Sequence, residues 1–228
     1  MTRFRRVGAV VLAVSVLLTG CDGAGQPESA PSVTVDESLT PLLVTKTEFT
    51  GWSVEDFSDQ IAEESKSTPK GKADPPECDS SDKTSLTSAV AAMVSQQRGK
   101  PGVLVSLSRQ RVDTLVADTE KWLGDCKAFS SERDGVRADT TVQRLGPPAS
   151  EADAQVGYEM KSTARAGSET VEVSVAGYTG QVGDVLVMAI AMGGDAGVPG
   201  RRVVVNKDML NDVFVTQVAK IKAAGAAS

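Results

Sequence analysis

Hydrophobic positions along the chain fall into several distinct patterns, each predicting a different element. Residues 7–18 are almost uninterruptedly apolar. Residues 22–41 are mainly Gly, Gln, Pro, Ser, Thr and acids with no periodic apolar face, which predicts a tether. Thr45-Lys46-Thr47-Glu48 has capping-box spacing and predicts a short helical turn around Phe49. Gly51 breaks that turn, and Trp52-Ser53-Val54-Glu55 reads as a first strand. Residues 58–77 are polar and carry Pro69, Pro75 and Pro76, which predicts an exposed loop. Leu86, Val90, Met93 and Val94 share one face of a helix over 85–97, and Gly99, Pro101 and Gly102 stop it.

The pattern then becomes mostly that of strands. Val103-Leu104-Val105-Ser106-Leu107 is one strand, and Leu115, Val116, Trp122 and Leu123 mark one side of a helix over 112–124. Gly124 and Asp125 turn the chain into Cys126 and a strand over 127–131. Strands over 136–145, 155–164, 169–178 and 183–192 follow, separated by Gly, Pro, Asp and Ser turns. Val171, Val173 and Val175 alternate with Glu172 and Ser174, so that strand buries one face. Residues 185–192 are apolar at both parities, as a central strand requires. Residues 193–200 form a turn and 203–205 a short strand. Asn206 is placed to cap a closing helix whose face is Met209, Leu210, Val213, Phe214, Val218 and Ile221. This order predicts an α+β fold: a mainly antiparallel twisted sheet packed by two to three helices.

The first apolar run changes the picture most. Arg3, Arg5 and Arg6 precede it, and its length of about a dozen residues falls short of the roughly twenty a membrane span needs. It reads as the hydrophobic region of a signal peptide. The run ends in Leu18-Thr19-Gly20-Cys21, which resembles the lipobox of bacterial lipoproteins. That resemblance implies acylation of the Cys21 thiol, cleavage before it, and Cys21 as the new first residue. An ordinary secretory signal or an uncleaved N-terminal anchor is the competing reading. The division expected is a signal peptide over 1–20, a lipid-anchored tether over 21–41 and one globular domain over 42–224. A flexible tether of twenty residues has an r.m.s. span of about 25 Å. The longest later apolar stretch, 182–192, is broken by Gly183 and Asp184, so the membrane is reached through lipid rather than a span. The expected location is the outer face of the plasma membrane.

Composition narrows the chemistry. The chain has 24 basic and 30 acidic residues, and removal of residues 1–20 takes away three arginines and no acid. An acidic domain has no use for a phosphate backbone, so nucleic acid is not an expected partner. Histidine is absent, which removes Ser-His-Asp and Cys-His catalysis and the commonest metal ligand. No cofactor, no metal and no catalytic residue is expected. With Cys21 committed to lipid, Cys78 and Cys126 are the remaining pair, expected as a disulfide in oxidising surroundings. A redox-active dithiol lacks Cys-x-x-Cys spacing, and a two-cysteine metal site lacks histidine.

Several segments invite chemistry. Asp79-Ser80-Ser81-Asp82 offers half a calcium loop without its Gly and final Glu; a helix cap beside the disulfide suits it better. Gly193-Gly194-Asp195-Ala196-Gly197-Val198-Pro199-Gly200 lacks the Gly-Lys-Ser/Thr ending of a phosphate loop, and its acid repels phosphate; a hairpin connection suits it better. Arg201 and Arg202 could grip a carboxylate or phosphate, and are the weak candidates for ligand binding. Glu55 with Asp56, and Glu63 with Glu64, are acid pairs, but neighbours on a strand face opposite ways and the second pair falls in the expected loop. Ser80-Ser81-Asp82-Lys83 is a shifted match to Ser-x-x-Lys.

The order lipobox, Ser/Pro tether, Phe49-Thr50-Gly51-Trp52, Pro75-Pro76-Glu77-Cys78, then Trp122 four residues before Cys126 resembles actinobacterial lipoproteins of the mycobacterial type, from a domain family without an assigned function. It is also similar to the extracellular sensor domain of mycobacterial transmembrane Ser/Thr kinases. Those sensor domains have two disulfides, whereas this chain can form one. The resemblance implies a twisted sheet with packed helices and a cleft for an unknown ligand. The expectation is a non-enzymatic envelope lipoprotein that binds a small ligand, a lipid or an envelope protein. A lipid or glycolipid carrier is the first alternative and a histidine-free cell-wall hydrolase the second.

Overall fold

The computed structural model describes residues 33–67, 72–79, 88–109, 115–133, 136–166, 169–195 and 202–226. In chain order the elements are β1 (Thr34–Val35), a 3-10 turn (Glu37–Leu42), β2 (Ser53–Asp56), α1 (Ser58–Ser67), β3 (Lys72–Asp74) and a 3-10 turn (Pro76–Cys78). Then come β4 (Ser88–Ser95), β5 (Val103–Ser108), α2 (Leu115–Asp125), β6 (Ala128–Arg133), β7 (Val136–Leu145) and β8 (Ala154–Ala166). The chain closes with β9 (Glu169–Val182), β10 (Val185–Asp195), β11 (Arg202–Val203) and α3 (Lys207–Ala226).

These strands form one sheet in the order β1-β4-β5-β10-β9-β8-β7-β6-β3, with β2 also on β4 and β11 also on β10. The pairings are antiparallel except that of β1 with β4. The α+β class, the antiparallel sheet and the disulfide are as the sequence predicts. Among the described residues no helix is long and apolar enough to cross a membrane.

The doubly apolar stretch becomes β10, paired by β5 and β9. Its Val185, Val187, Ala189 and Ala191 face α3, which answers with Met209, Leu210, Val213, Phe214, Val218 and Ile221. On the other face Leu186 and Met188 pack with Val33, Ala89, Leu115 and Ile61, which brings in α1 and the start of α2. Farther along that face, Trp122, Leu123 and the Cys78–Cys126 disulfide cover Val142, Val156, Tyr158, Met160 and Val175. The two cysteine Cα atoms lie 5.4 Å apart, and Trp122 Nε1 donates to the Cys78 carbonyl at 3.3 Å.

Where β8 meets β9, two glycines and two tyrosines interlock. Gly157 pairs with Tyr178 and Tyr158 with Gly177. A methyl group on Gly157 would come within 2.7 Å of the Tyr178 ring, and one on Gly177 within 2.7 Å of the Tyr158 ring. Each ring fills the space its partner lacks, an aromatic covering of a cross-strand glycine. Burial pushes the Tyr158 phenol up to about 12.

Three segments differ from the sequence expectation. The run Ser88–Ser95 is not a helix but β4, buried on both faces between β5 and the β1/β2 edge. Six residues of Ala, Val and Met between two serines satisfy either period, and strand pairing on both sides decides between them. Residues 58–77 are not a loop throughout. Asp56 Oδ1 accepts from Ser58 N at 2.8 Å, Ser58 Oγ accepts from Ala91 N at 3.0 Å, and Ile61 buries against the sheet, so α1 forms. The domain also begins before Leu42. Val33 and Leu39 are buried, β1 pairs with β4, and Asp36 caps the 3-10 turn through Ser38 N at 3.1 Å.

The segment after it is clamped to α3. Gln217, fully buried, accepts from Val44 N at 2.9 Å and donates to the Leu42 carbonyl at 2.7 Å. The predicted capping box forms as a turn in which Thr45 N and Thr45 Oγ1 both donate to Glu48 Oε2 at 2.7 Å. Lys220 of α3 pairs with Glu48 at 2.8 Å. Burial pushes the Glu48 carboxyl up, but Lys220 and Thr45 outweigh it and hold it at about 2.

Candidate binding groove

Helix α3 covers one face of the sheet only as far as β9. Beyond it the alternation of β6, β7 and β8 leaves one row of mostly polar side chains without a helix above among the described residues. Register puts Ser130, Asp139, Thr163 and Glu172 in one rung, and Ala128, Thr141, Lys161 and Ser174 in the next. All of these but Glu172 and Ser174, together with Phe129, Arg137 and Thr140, line an open groove of about 510 Å³. Arg137 Nη2 donates to Ser130 Oγ at 3.4 Å, and its Nε lies 3.5 Å from Asp139.

The groove meets α3 at an ion pair whose acid is buried and whose lysine is half exposed. Glu159, in the next rung opposite Gln143, accepts from Lys207 Nζ at 2.8 Å and from Gln143 Nε2 at 2.7 Å. The Lys207 hydrogen bond leads in holding the Glu159 carboxyl below its usual range, and Gln143 adds to it against the cost of burial. Lys207 is the first residue of α3, so the same residue opens the helix and closes the groove.

A second hollow of about 370 Å³ lies at the far end of β4, between the 96–102 turn, β11 and the start of α3. Its walls include Val103, Ala191, Met192, Val203, Val204 and Met209, and Met192 and Val204 are exposed at 40% and 82%. Asn206 Oδ1 accepts from Met209 N at 3.0 Å, as the predicted cap.

The candidates from sequence scatter. Cys78 and Cys126 are joined and buried. Cys21, the signal peptide, Arg201 and the Ser80–Lys83 segment lie outside the described residues, and Arg202 is placed only by its backbone, opposite Asp195. Asp79 closes the 3-10 turn, and no helix follows over 88–97 for it to cap. Glu55 accepts from Ser53 Oγ at 3.0 Å and pairs with Arg98 at 3.3 Å, while Asp56 serves Ser58. Glu63 and Glu64 lie on α1 rather than in a loop. Gly193 and Gly194 end β10 instead of opening a loop; a methyl group there would come within 2.5 Å of the Val203 carbonyl or 2.2 Å of the Glu172 carbonyl.

Sequence pattern places the groove residues on strands without marking them as a site. The usable signal was the polar alternate row, with Arg137, Asp139, Thr141 and Gln143 on one strand and Lys161, Thr163 and Arg165 on the next.

No protein-family model matches the sequence, and no curated protein matches it. Among solved structures, the chain is similar to an uncharacterized protein of Mycobacterium smegmatis, the Rv0999 ortholog. The match has 13% identity and a TM-score of 0.46, and covers 76% of this chain and 90% of that one. It is a distant resemblance in fold to a protein whose own function is unassigned.

Proposed function

We propose that this chain is a cell-envelope lipoprotein, held through lipid on Cys21 at the outer face of the plasma membrane, whose domain binds a ligand or partner without catalysing a reaction. The observation that carries the reading is the polar groove over β6–β8, an open hollow on a sheet braced from behind by a buried disulfide. A buried disulfide suits an oxidising compartment, which is where the signal sequence and lipobox send the chain. The tether lets the groove face away from the bilayer.

The carrier reading needs a large apolar cavity. Among the described residues the sheet–helix interfaces are filled by side chains, and the groove is polar and open. A carboxylate pair for hydrolysis finds no support in Glu55 and Asp56, which are occupied by Ser53, Arg98 and Ser58.

Mass spectrometry of the protein taken from its own envelope tests the reading. The expected species begins at Cys21, carries acyl mass and is two hydrogens lighter than the dithiol. A chain retaining residues 1–20 without acyl mass, and with Cys78 and Cys126 free, would sink it.

A further inference from the structure

We infer that the hollow beside the 96–102 turn takes the tail of a fatty acid, with Lys100 at its carboxylate. The hollow exists because strand pairing has a gap. Along one edge of β10, β5 pairs as far as Ala191 and β11 begins at Gly194. Among the described residues no strand meets Met192 and Gly193 on that edge. Its floor is core: Val103, Ala191 and Met209 belong to the main hydrophobic cluster, and each also lines the hollow. Its walls carry Met192 and Val204, two of the three large apolar side chains exposed among the described residues; the third is Val35. Apolar surface gathered in one concave place marks a contact site, whereas single exposed residues need no explanation. Met192 and Met209 bring unbranched thioether side chains, which adapt to a flexible chain.

The rim decides the class of occupant. Gln96, Gln97, Lys100 and Asn206 stand on it, and Lys100 is the one charged residue of the lining. Lys100 is exposed and makes no ion pair among the described residues. Arg98 of the same turn is engaged by Glu55, and Asp195 and Asp208 of the neighbouring elements are not part of the lining. An apolar pit with one ammonium at its lip matches an apolar chain ending in one anion. The carboxylate gains a charge-assisted hydrogen bond while the tail leaves water. At about 370 Å³ the hollow is at the small end of ligand sites, with room for one chain end rather than for a two-chain lipid. It grips a tail and does not enclose a cargo, which sets it apart from a carrier.

The test is photolabelling of the full chain in phosphatidylcholine vesicles with a palmitate analogue carrying a diazirine near its tail end, mapped by peptide mass spectrometry. Label is expected on residues 96–103 and 203–209. Excess palmitate should lower it about five-fold or more, and the same excess of hexadecanol, which lacks the charge, by less than about two-fold. Val204→Asp should cut the label about five-fold, and Lys100→Glu about three-fold. Lys121→Glu, on α2, should leave it unchanged. Circular dichroism on each variant checks that the fold is kept. Equal competition by hexadecanol would overturn the anionic head. No label at the hollow, or label indifferent to Val204→Asp and Lys100→Glu, would overturn the site. Sedimentation as a dimer that Val204→Asp converts to a monomer would give the hollow to a second copy of the chain instead. The groove over β6–β8 lies on other strands, so the failure of this site leaves that reading standing.

Discussion

One sheet face has two halves. Over β5, β10 and β9, α3 lies on Val185, Val187, Ala189, Ala176 and Tyr178 and excludes water. Over β8, β7 and β6 the same face carries Lys161, Thr163, Asp139 and Arg137 and stays open. The change happens within single strands: on β8 the row runs from Gly157, under the Tyr178 ring, through Glu159, paired with Lys207, to exposed Lys161. The covered half is where burial supplies stability. The open half owes its stability to what lies behind it, and its front stays open to solvent.

Breaking the support behind the open half should have the largest effect. Replacing Cys78 and Cys126 together by Ala removes a crosslink over 48 residues and should lower stability by about 4 kcal/mol, read from urea unfolding. Amide exchange should accelerate first in β7 and β8, and an even acceleration across the sheet would show that the halves are not distinct.

The covered half has its own clamp. Gln217→Leu leaves the Val44 N–H and the Leu42 carbonyl without their partner and should cost about 2–4 kcal/mol. Gln217→Glu retains an acceptor for Val44 but buries a carboxylate against the Leu42 carbonyl, and should cost at least as much as Leu at neutral pH.

At the boundary, Gly157→Ala forces a methyl group against the Tyr178 ring and the Leu145 carbonyl. A loss of about 1–3 kcal/mol is expected. Gly157→Ala combined with Tyr178→Leu should cost less than the sum of the two single changes if the ring is the obstacle, by a double-mutant cycle.

Acid should act on the covered half before it acts on the open one. Glu48 and Glu159 have carboxyls held below their ordinary values in the fold, as does Asp153, just before β8, which accepts from Lys222 Nζ of α3 at 2.6 Å and from Gly183 N at 2.7 Å. Each contribution is therefore complete above the unfolded value and fades as pH falls towards the folded one. For Glu48 that window runs from 4.5 down to about 2. Glu48→Gln should remove about 1 kcal/mol at neutral pH, after allowance for partial exposure. It should also flatten the acid limb of the stability curve measured by urea titration from pH 7 to pH 3.

The smallest effect belongs to the open face. Lys161→Ala should leave stability within about 0.5 kcal/mol of the parent by thermal melting. A larger loss would mean that the groove is part of the framework.

Much of this was legible in the chain itself. Gly, Pro, Asp and Ser turns marked β7, β8 and β9 as strands, and the alternation of Val171, Val173 and Val175 marked the row of β9 that meets the disulfide side, while Ala176 and Tyr178 bury its other face under α3. The row from Met209 to Ile221 marked α3, Asn206 marked its cap, and cysteine arithmetic marked the crosslink. These are local signals: a period, a cap residue and a count. Tertiary structure alone decided the rest. Ser88–Ser95 satisfied both periods until β5 on one edge and β1 and β2 on the other committed it to a strand. Leu39 looked like part of a tether until the fold gave it a core to enter. Whether Lys161 and Arg137 would be covered or open depended on where α3 ends its crossing of the sheet, and no local pattern carries that, because it is set by packing between residues far apart in sequence.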